Sequence, residues 1–436
     1  VEAERWFAEV EARFSSSSLA DDAALEAARS ALARGDLQAA ERRLANVAER
    51  YPRGDTVGDA LFLLGTASLE RGDAQRALRA FEAGRARPVE RAWHRAGRFD
   101  YFAARALDEL GRGRDAEALY RGALERAPGG YYAALALARL GSGRPSEAKR
   151  IFEAHLAKQP SSSPPRLEAS VAREPAWAAA LAATRAGDPE GLSVALDALG
   201  VGARTASEAS LYVAAELYAR VGDAAAAHRV LRTASEIEPG GARLEAWSMR
   251  DAGPRGDYRR AWELAYPRAH AEAARFAAEE AGIPLALVYA IAREESAFDP
   301  KAVSRSDARG LMQLLPVTGE RMARGLGLRL ASDGLYDPAI NARLGARFLG
   351  QMRKRFSPAE VLAIPGYNAG PGAPERWLEE RPGMAFDLWV EAIPYAETRG
   401  YTKRVISSLY VYELLYGGEP TETLALPLVL EPRAPR

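Results

Sequence analysis

A chain of 436 residues has room for two or three domains, and its 59 lysines and arginines equal its 59 aspartates and glutamates. That balance calls for neither nucleic acid nor an anionic membrane as partner. With no cysteine, disulfides, thiolate metal sites and thiol nucleophiles are excluded, and no run of about 18 apolar residues is present to span a membrane.

In chain order, the first predicted elements are repeats. Gly35, Gly72, Gly113, Gly143, Gly187, Gly222 and Gly256 stand five residues before Ala40, Ala77, Ala118, Ala148, Leu192, Ala227 and Ala261, respectively. Each glycine, often followed by aspartate, reads as the turn between an alanine-rich helix and a second helix. Leu44, Phe81, Tyr120, Phe152 and Leu231 serve as apolar anchors of that second helix. The glycine intervals of 30 to 44 residues are close to tetratricopeptide spacing, though irregular. A helix pair of this size buries its apolar face only against stacked neighbours, so the pattern predicts an α-solenoid. Arg53-Gly54-Asp55, after Tyr51-Pro52, reads as a turn. Gln159-Pro-Ser-Ser-Ser-Pro-Pro165 reads as a linker or exposed loop, and Glu238-Pro239-Gly240-Gly241 as a second irregular patch. His94, His155, His228 and His270 lack ligand spacing and are read as surface or packing residues, so no metal site is expected.

The most informative helix is Pro284-Leu-Ala-Leu-Val-Tyr-Ala-Ile-Ala-Arg-Glu-Glu-Ser296. At about 100° per residue, Leu285, Val288, Ile291 and Ala292 make one apolar stripe, and Glu295 falls inside it. Glu294 projects about 100° away and is expected to face outward. A carboxyl against apolar side chains is poorly solvated, which raises its pKa and suits it to general-acid work near neutral pH. On this helix alone, Arg293-Glu294-Glu295 reads equally well as a solvated helix end.

Phe298-Asp299-Pro300 ends the helix, because proline disfavours helical geometry in the residue before it. Ser304 follows in a polar stretch, then Gly310-Leu-Met-Gln313 and Leu314-Leu315-Pro316. Farther on stand Tyr367-Asn368-Ala369-Gly370-Pro371-Gly372 and Ile393-Pro394-Tyr395-Ala396-Glu397-Thr398-Arg399-Gly400-Tyr401. In this order the set resembles the catalytic domain of the soluble lytic transglycosylases, which share a lysozyme-like fold with goose-type lysozymes. Ala265-Tyr266-Pro267 and Ala281-Gly282-Ile283-Pro284 extend the resemblance upstream, so that it covers residues 265 to 418. The expected fold is therefore all-α: an N-terminal α-solenoid of tetratricopeptide-like hairpins followed by a lysozyme-like catalytic domain. The expected organisation is a solenoid over 1–158, a second helical-repeat or linker region over 159–264, the catalytic domain over 265–418 and an irregular tail over 419–436. Within that tail, Leu424 to Leu430 reads as a short edge strand or a segment packed on the solenoid. A segment from Ala261 to Gly418 is expected to fold by itself.

The resemblance implies cleavage of the β-1,4 bond between N-acetylmuramic acid and N-acetylglucosamine in peptidoglycan, with formation of a 1,6-anhydro end. Glu295 is the implied single general acid and base. Ser304 matches a serine near the N-acetyl group, with a plain turn serine as the other reading. Met312 and Gln313 line the cleft, and Tyr367 and Asn368 belong to its tyrosine motif. Glu397 matches a second acidic residue of the cleft, or else an ion-pair partner of Arg399 or Lys403. No metal or organic cofactor is implied, since proton transfer and substrate assistance account for the reaction. The implied partners are peptidoglycan strands and, through the arm, cell-envelope proteins; the implied location is the periplasm. The start at Val1, without a basic n-region or apolar h-region, reads as a processed or truncated product whose export signal lies outside it. Two positions depart from the family pattern. Leu315 replaces a methionine, a volume-conserving swap, and Ala363-Ile364-Pro365-Gly366 is expected to kink or end the helix that carries Tyr367. A hydrolytic muramidase of the same fold and a glycan-binding scaffold stay open as alternatives.

Overall fold

The structure is a computed structural model that describes residues 2–87, 95–141, 145–158, 166–201, 206–236, 253–254, 256, 258–417, 426 and 430. Gln159–Pro165, Glu238–Gly241, Gly143 and His94 lie outside the described residues. Among those described the chain is all-α, with β-bridges confined to Val303–Arg309 and Arg309–Leu314. No helix among them is long and apolar enough to cross a membrane. The chain divides into two compact units after Arg126.

In the first unit, helices consecutive in sequence pack on one another from Glu2–Arg13 to Gly113–Arg126. Their core is built from Ala24, Leu25, Ala28, Leu44, Val47, Ala60, Leu64 and Ala80. Small residues let the helix axes approach closely: a Cβ on Gly65 would stand 2.3 Å from the Phe81 ring. The glycine-aspartate turns work as a pair. Gly35 and Gly72 take left-handed φ of 74° and 77°, which glycine adopts without penalty, and end one helix. Asp36 and Asp73 then accept from the N–H of Ala39 and Arg76 and cap the next. At the third repeat the left-handed residue is Gly111, with φ 73°, whereas Gly113 already begins a helix. Tyr120 falls nine residues after Gly111, as Leu44 and Phe81 fall nine after Gly35 and Gly72. Arg53-Gly54-Asp55 is a turn: the Gly54 N–H donates to the Tyr51 carbonyl, and Gly54 lies against the Asp21 carboxylate.

The second unit contains the hairpins Pro175–Ala186 with Pro189–Ala198 and Glu208–Arg220 with Ala224–Glu236, and the helices that hold the motifs from Glu295 to Tyr401. Its axis is the 21-residue helix Ala396–Tyr416, buried over most of its length and packed against Leu285–Ser296 and Tyr131–Leu140. The Tyr131–Leu140 helix is tied to the C-terminal part by polar contacts. The Tyr132 hydroxyl donates to Glu391 at 2.7 Å, Lys403 donates to Glu391 at 2.6 Å, and Arg139 pairs with Asp387 at 3.0 Å. Upstream, a Cβ on Gly129 would meet the Trp262 ring at 2.6 Å and Val411 at 2.9 Å. Of the tail, Leu426 and Leu430 are described; both are buried, and the Leu430 N–H donates to the Met384 carbonyl.

Candidate active site

The helix Leu285–Ser296 starts just after Pro284, which stands at the cap position, and Ile291 and Ala292 are buried. Its end owes less to Pro300 than to Ala297 and Phe298, which take left-handed φ of 52° and 65°. Such values are uncommon for non-glycine residues and cost of order 1–3 kcal/mol each. The fully buried Phe298 ring, edge-on to His228, holds them in place. The turn therefore stores strain one residue beyond Ser296, directly behind the acidic pair.

Glu295 keeps partial exposure, and its Oε1 accepts from the Tyr401 hydroxyl at 2.7 Å. Loss of solvation pushes its carboxyl up to about 8; the Tyr401 bond works against this, while the negative charges of Glu294 and Glu397 add to it. The group is thus a neutral acid at neutral pH on a partly exposed residue. Tyr401 was quoted within a motif, but its role is not evident from local sequence. It lies on the same face of Ala396–Tyr416 as Arg404 and Ser408, at spacings of three and seven residues.

Glu294 corrects the sequence expectation. It does not face solvent: its side chain has no exposed surface, and it accepts from Arg232 (2.9 Å), Arg293 (2.7 Å), Arg404 (3.1 Å) and Ser408 (2.9 Å). Burial pushes its pKa up, but the three guanidiniums outweigh this and hold it well below the usual carboxylate range. The two adjacent carboxyls are separated by the helix, as their angular spacing requires. The face that carries Glu294, however, is covered by Arg232 and Arg404 from other helices.

The Gly310–Gln313 turn is fastened to this helix end. The Ser296 hydroxyl donates to the Leu311 carbonyl at 2.7 Å. Gly310 has φ 74°, and a Cβ there would stand 2.0 Å from the Leu335 carbonyl oxygen, so only glycine fits. Asn341, fully buried near the start of Pro338–Phe356, accepts from the Met312 N–H at 2.7 Å and donates to the Arg309 and Leu335 carbonyls. Sequence reasoning missed Asn341, although a poor helix former at that place signals a side-chain hydrogen-bonding duty. Asn341→Ala is expected to lower the urea midpoint strongly, because the Met312 N–H and the Leu335 carbonyl lose this partner at about 1–3 kcal/mol each, while the Arg309 carbonyl keeps the Leu314 N–H.

Met312 is fully buried against Gly345, and its carbonyl accepts from the Tyr367 hydroxyl at 2.8 Å. Burial, with the Glu295 charge, pushes the Tyr367 phenol well up, so it keeps its proton and supports the turn. Gln313 (φ 47°) donates its amide N–H to the Ala302 and Gly310 carbonyls, which leaves its amide oxygen for another donor. Asn368 accepts from Thr398 at 2.7 Å. Ser304 is exposed and caps its own turn by accepting from the Ser306 and Ala308 N–H groups. Glu397 is exposed; Arg399 donates instead to the Ile393 carbonyl, and Lys403 to Glu391. Leu315, at 46% exposure, has little core to disturb.

Pro365-Gly366 neither kinks nor ends its helix, contrary to expectation. Ala363–Ala369 begins two residues earlier, so Pro365 sits in the first turn, where its missing N–H is no loss. Gly366 admits the Phe356 ring, 2.7 Å from where a Cβ would be.

Residues 272–390 match the family described as Transglycosylase SLT domain. The putative soluble lytic murein transglycosylase of Haemophilus influenzae is 35% identical over 165 residues, which are 37% of this chain and 28% of that protein. The soluble lytic murein transglycosylase of Escherichia coli (strain K12) is 37% identical over 142 residues, 32% of this chain and 22% of that one. Among solved structures, an inactive mutant of lytic transglycosylase Slt from Pseudomonas aeruginosa superposes with a TM-score of 0.67 at 25% identity, over 96% of this chain and 62% of that one. The 70 kDa soluble lytic transglycosylase of E. coli shares the fold, with a TM-score of 0.59 over 93% of this chain and 63% of that one. The matched segments thus span about a quarter of the length of the two curated relatives and under two thirds of the solved chains.

Proposed function

We propose that the chain, whose residues 272–390 match the Transglycosylase SLT domain, is a soluble lytic transglycosylase that cleaves the β-1,4 bond between N-acetylmuramic acid and N-acetylglucosamine in peptidoglycan. The observation that carries this reading is Glu295, a partly exposed residue whose carboxyl is pushed up to about 8, with a tyrosine hydroxyl holding one oxygen. In this reading Glu295 gives its proton to the glycosidic oxygen as the bond to the anomeric carbon breaks. The substrate's own N-acetyl group stabilises the positive charge at that carbon. The Glu295 carboxylate then takes the proton of the C6 hydroxyl, whose oxygen attacks the anomeric carbon and closes a 1,6-anhydro ring. An internal nucleophile has a large effective molarity and outcompetes water where water is excluded. Ser304, Gln313 and Asn368 present polar atoms for the sugars, and Glu397 lies on the rim; Met312 and Tyr367 support the turn from behind. The site of action is the bacterial cell envelope, with the helical repeats as the surface for envelope protein partners.

Mass analysis of products released from purified sacculi tests the reading. Anhydromuropeptides, each lighter by one water than the hydrolysed form, are the expected main product. Reducing-end muropeptides would instead identify a muramidase, and no cleavage with retained glycan binding would identify a scaffold. Turnover is expected to hold as pH rises and to fall through about pH 8 as Glu295 loses its proton.

A further inference from the structure

The proposed reaction uses one carboxyl, yet a second one sits beside it, fully enclosed among three guanidiniums. Arg293 shares its helix, Arg232 reaches it from Ala224–Glu236, and Arg404 and Ser408 reach it from Ala396–Tyr416. Arg232 also donates to the Arg293 carbonyl, which accepts the Ala297 N–H at the helix end as well. One side chain from a separate hairpin therefore grips both the backbone and the buried carboxylate at the helix end that presents Glu295. Simple helix anchoring does not require a buried carboxylate, and enclosing one is costly unless its charge is used.

We propose that Glu294 and Arg232 are a positioning pair for Glu295: they lock the last turn of Leu285–Ser296 onto Ala396–Tyr416, and Glu294 offsets the guanidinium charge that would otherwise act on the acid. This inference rests on the reading of Glu295 as the acid. The charged and titratable groups around the pair are Arg293, Arg232 and Arg404, the buried His228 of Ala224–Glu236, Tyr401 and Glu397 of Ala396–Tyr416, and Tyr367. His228 is kept neutral by burial and by the neighbouring arginines, its Nδ1 donating to the Ala265 carbonyl, so it adds no charge. With Glu294 neutral, the guanidinium charge of the cluster, Arg404 above all, acts on Glu295 without that offset and favours its carboxylate. With one guanidinium removed, the balance moves the other way.

The test is the pH dependence of kcat of the full chain on soluble glycan fragments. Glu294→Gln is expected to move the alkaline limb to lower pH by about one unit or more. Arg232→Met and Arg404→Gln are expected to move it to higher pH, and Arg232→Lys, which keeps the charge, to restore it in part. The Arg404 side chain is 35% exposed, so its variant reads the effect even where Glu294→Gln fails to fold. Uniform rate losses with the limb in place would overturn the proposal and leave the cluster a purely structural anchor. Glu295→Gln, measured alongside, separates the two ideas: its retained activity would remove the acid assignment itself, whereas its inactivity with unmoved limbs removes only the positioning pair.

Discussion

Glu295→Gln is expected to lower turnover of glycan strands by at least about 10²–10⁴-fold, because the same group serves as acid in one step and base in the next. The fold should survive, since the amide oxygen still accepts from Tyr401. Stability supplies a second readout with a definite sign. The folded-state pKa of about 8 lies above the ordinary value of 4.5, so the folded protein holds this proton more tightly than the unfolded chain. The stability associated with the proton is complete below pH 4.5 and is lost as pH rises through about 8, to the extent of a few kcal/mol. The glutamine variant lacks that slope. Relative to wild type, its melting temperature at pH 8 should therefore be higher than the comparison at pH 4.5 would suggest. Thermal melts of both proteins at the two pH values check this, and parallel curves would mean that Glu295 is not desolvated in solution.

A chain cut to begin at Ala261 is expected to lose its fold, whereas one that begins at Ala127 is expected to keep it and to cleave short soluble fragments. The first cut removes Arg232 from Glu294, Tyr132 from Glu391 and Arg139 from Asp387, and it takes Gly129 from the face of Trp262. Breaking a buried pair by removing one partner costs about 3–5 kcal/mol, and a domain's whole stability is about 5–15 kcal/mol. The second cut falls between the compact units and spares all these contacts. Far-ultraviolet circular dichroism through urea, with turnover of soluble fragments, distinguishes the two. A cooperative transition in the shorter piece, at the midpoint of the longer, would show the upstream helices to be peripheral. Turnover of whole sacculi by the Ala127 form then addresses the arm. A selective loss there points to guidance of the strand, and no change leaves the arm as a spacer or docking element.

Properties that depend on neighbours a turn or two away are legible in the amino-acid order. Alanine-rich stripes and glycine-aspartate pairs specify helical hairpins, because the left-handed φ of Gly35 or Gly72 and the caps of Asp36 and Asp73 are local. Angular spacing along Leu285–Ser296 likewise placed Glu295 on a different face from Glu294. Tertiary structure alone decided what covers each face. Glu294 is buried because Arg232 stands 62 residues before it and Arg404 stands 110 after it, and Tyr401 meets Glu295 across 106 residues. Pro365 was misread for a related reason: whether a proline breaks a helix or opens one depends on where the helix begins, which its packing on Pro338–Phe356 helps to set. Periodicity reports the direction in which a side chain leaves its own helix. The solvation and charge it meets there come from other helices, and these turned one of two adjacent glutamates into a neutral acid and the other into a buried anion.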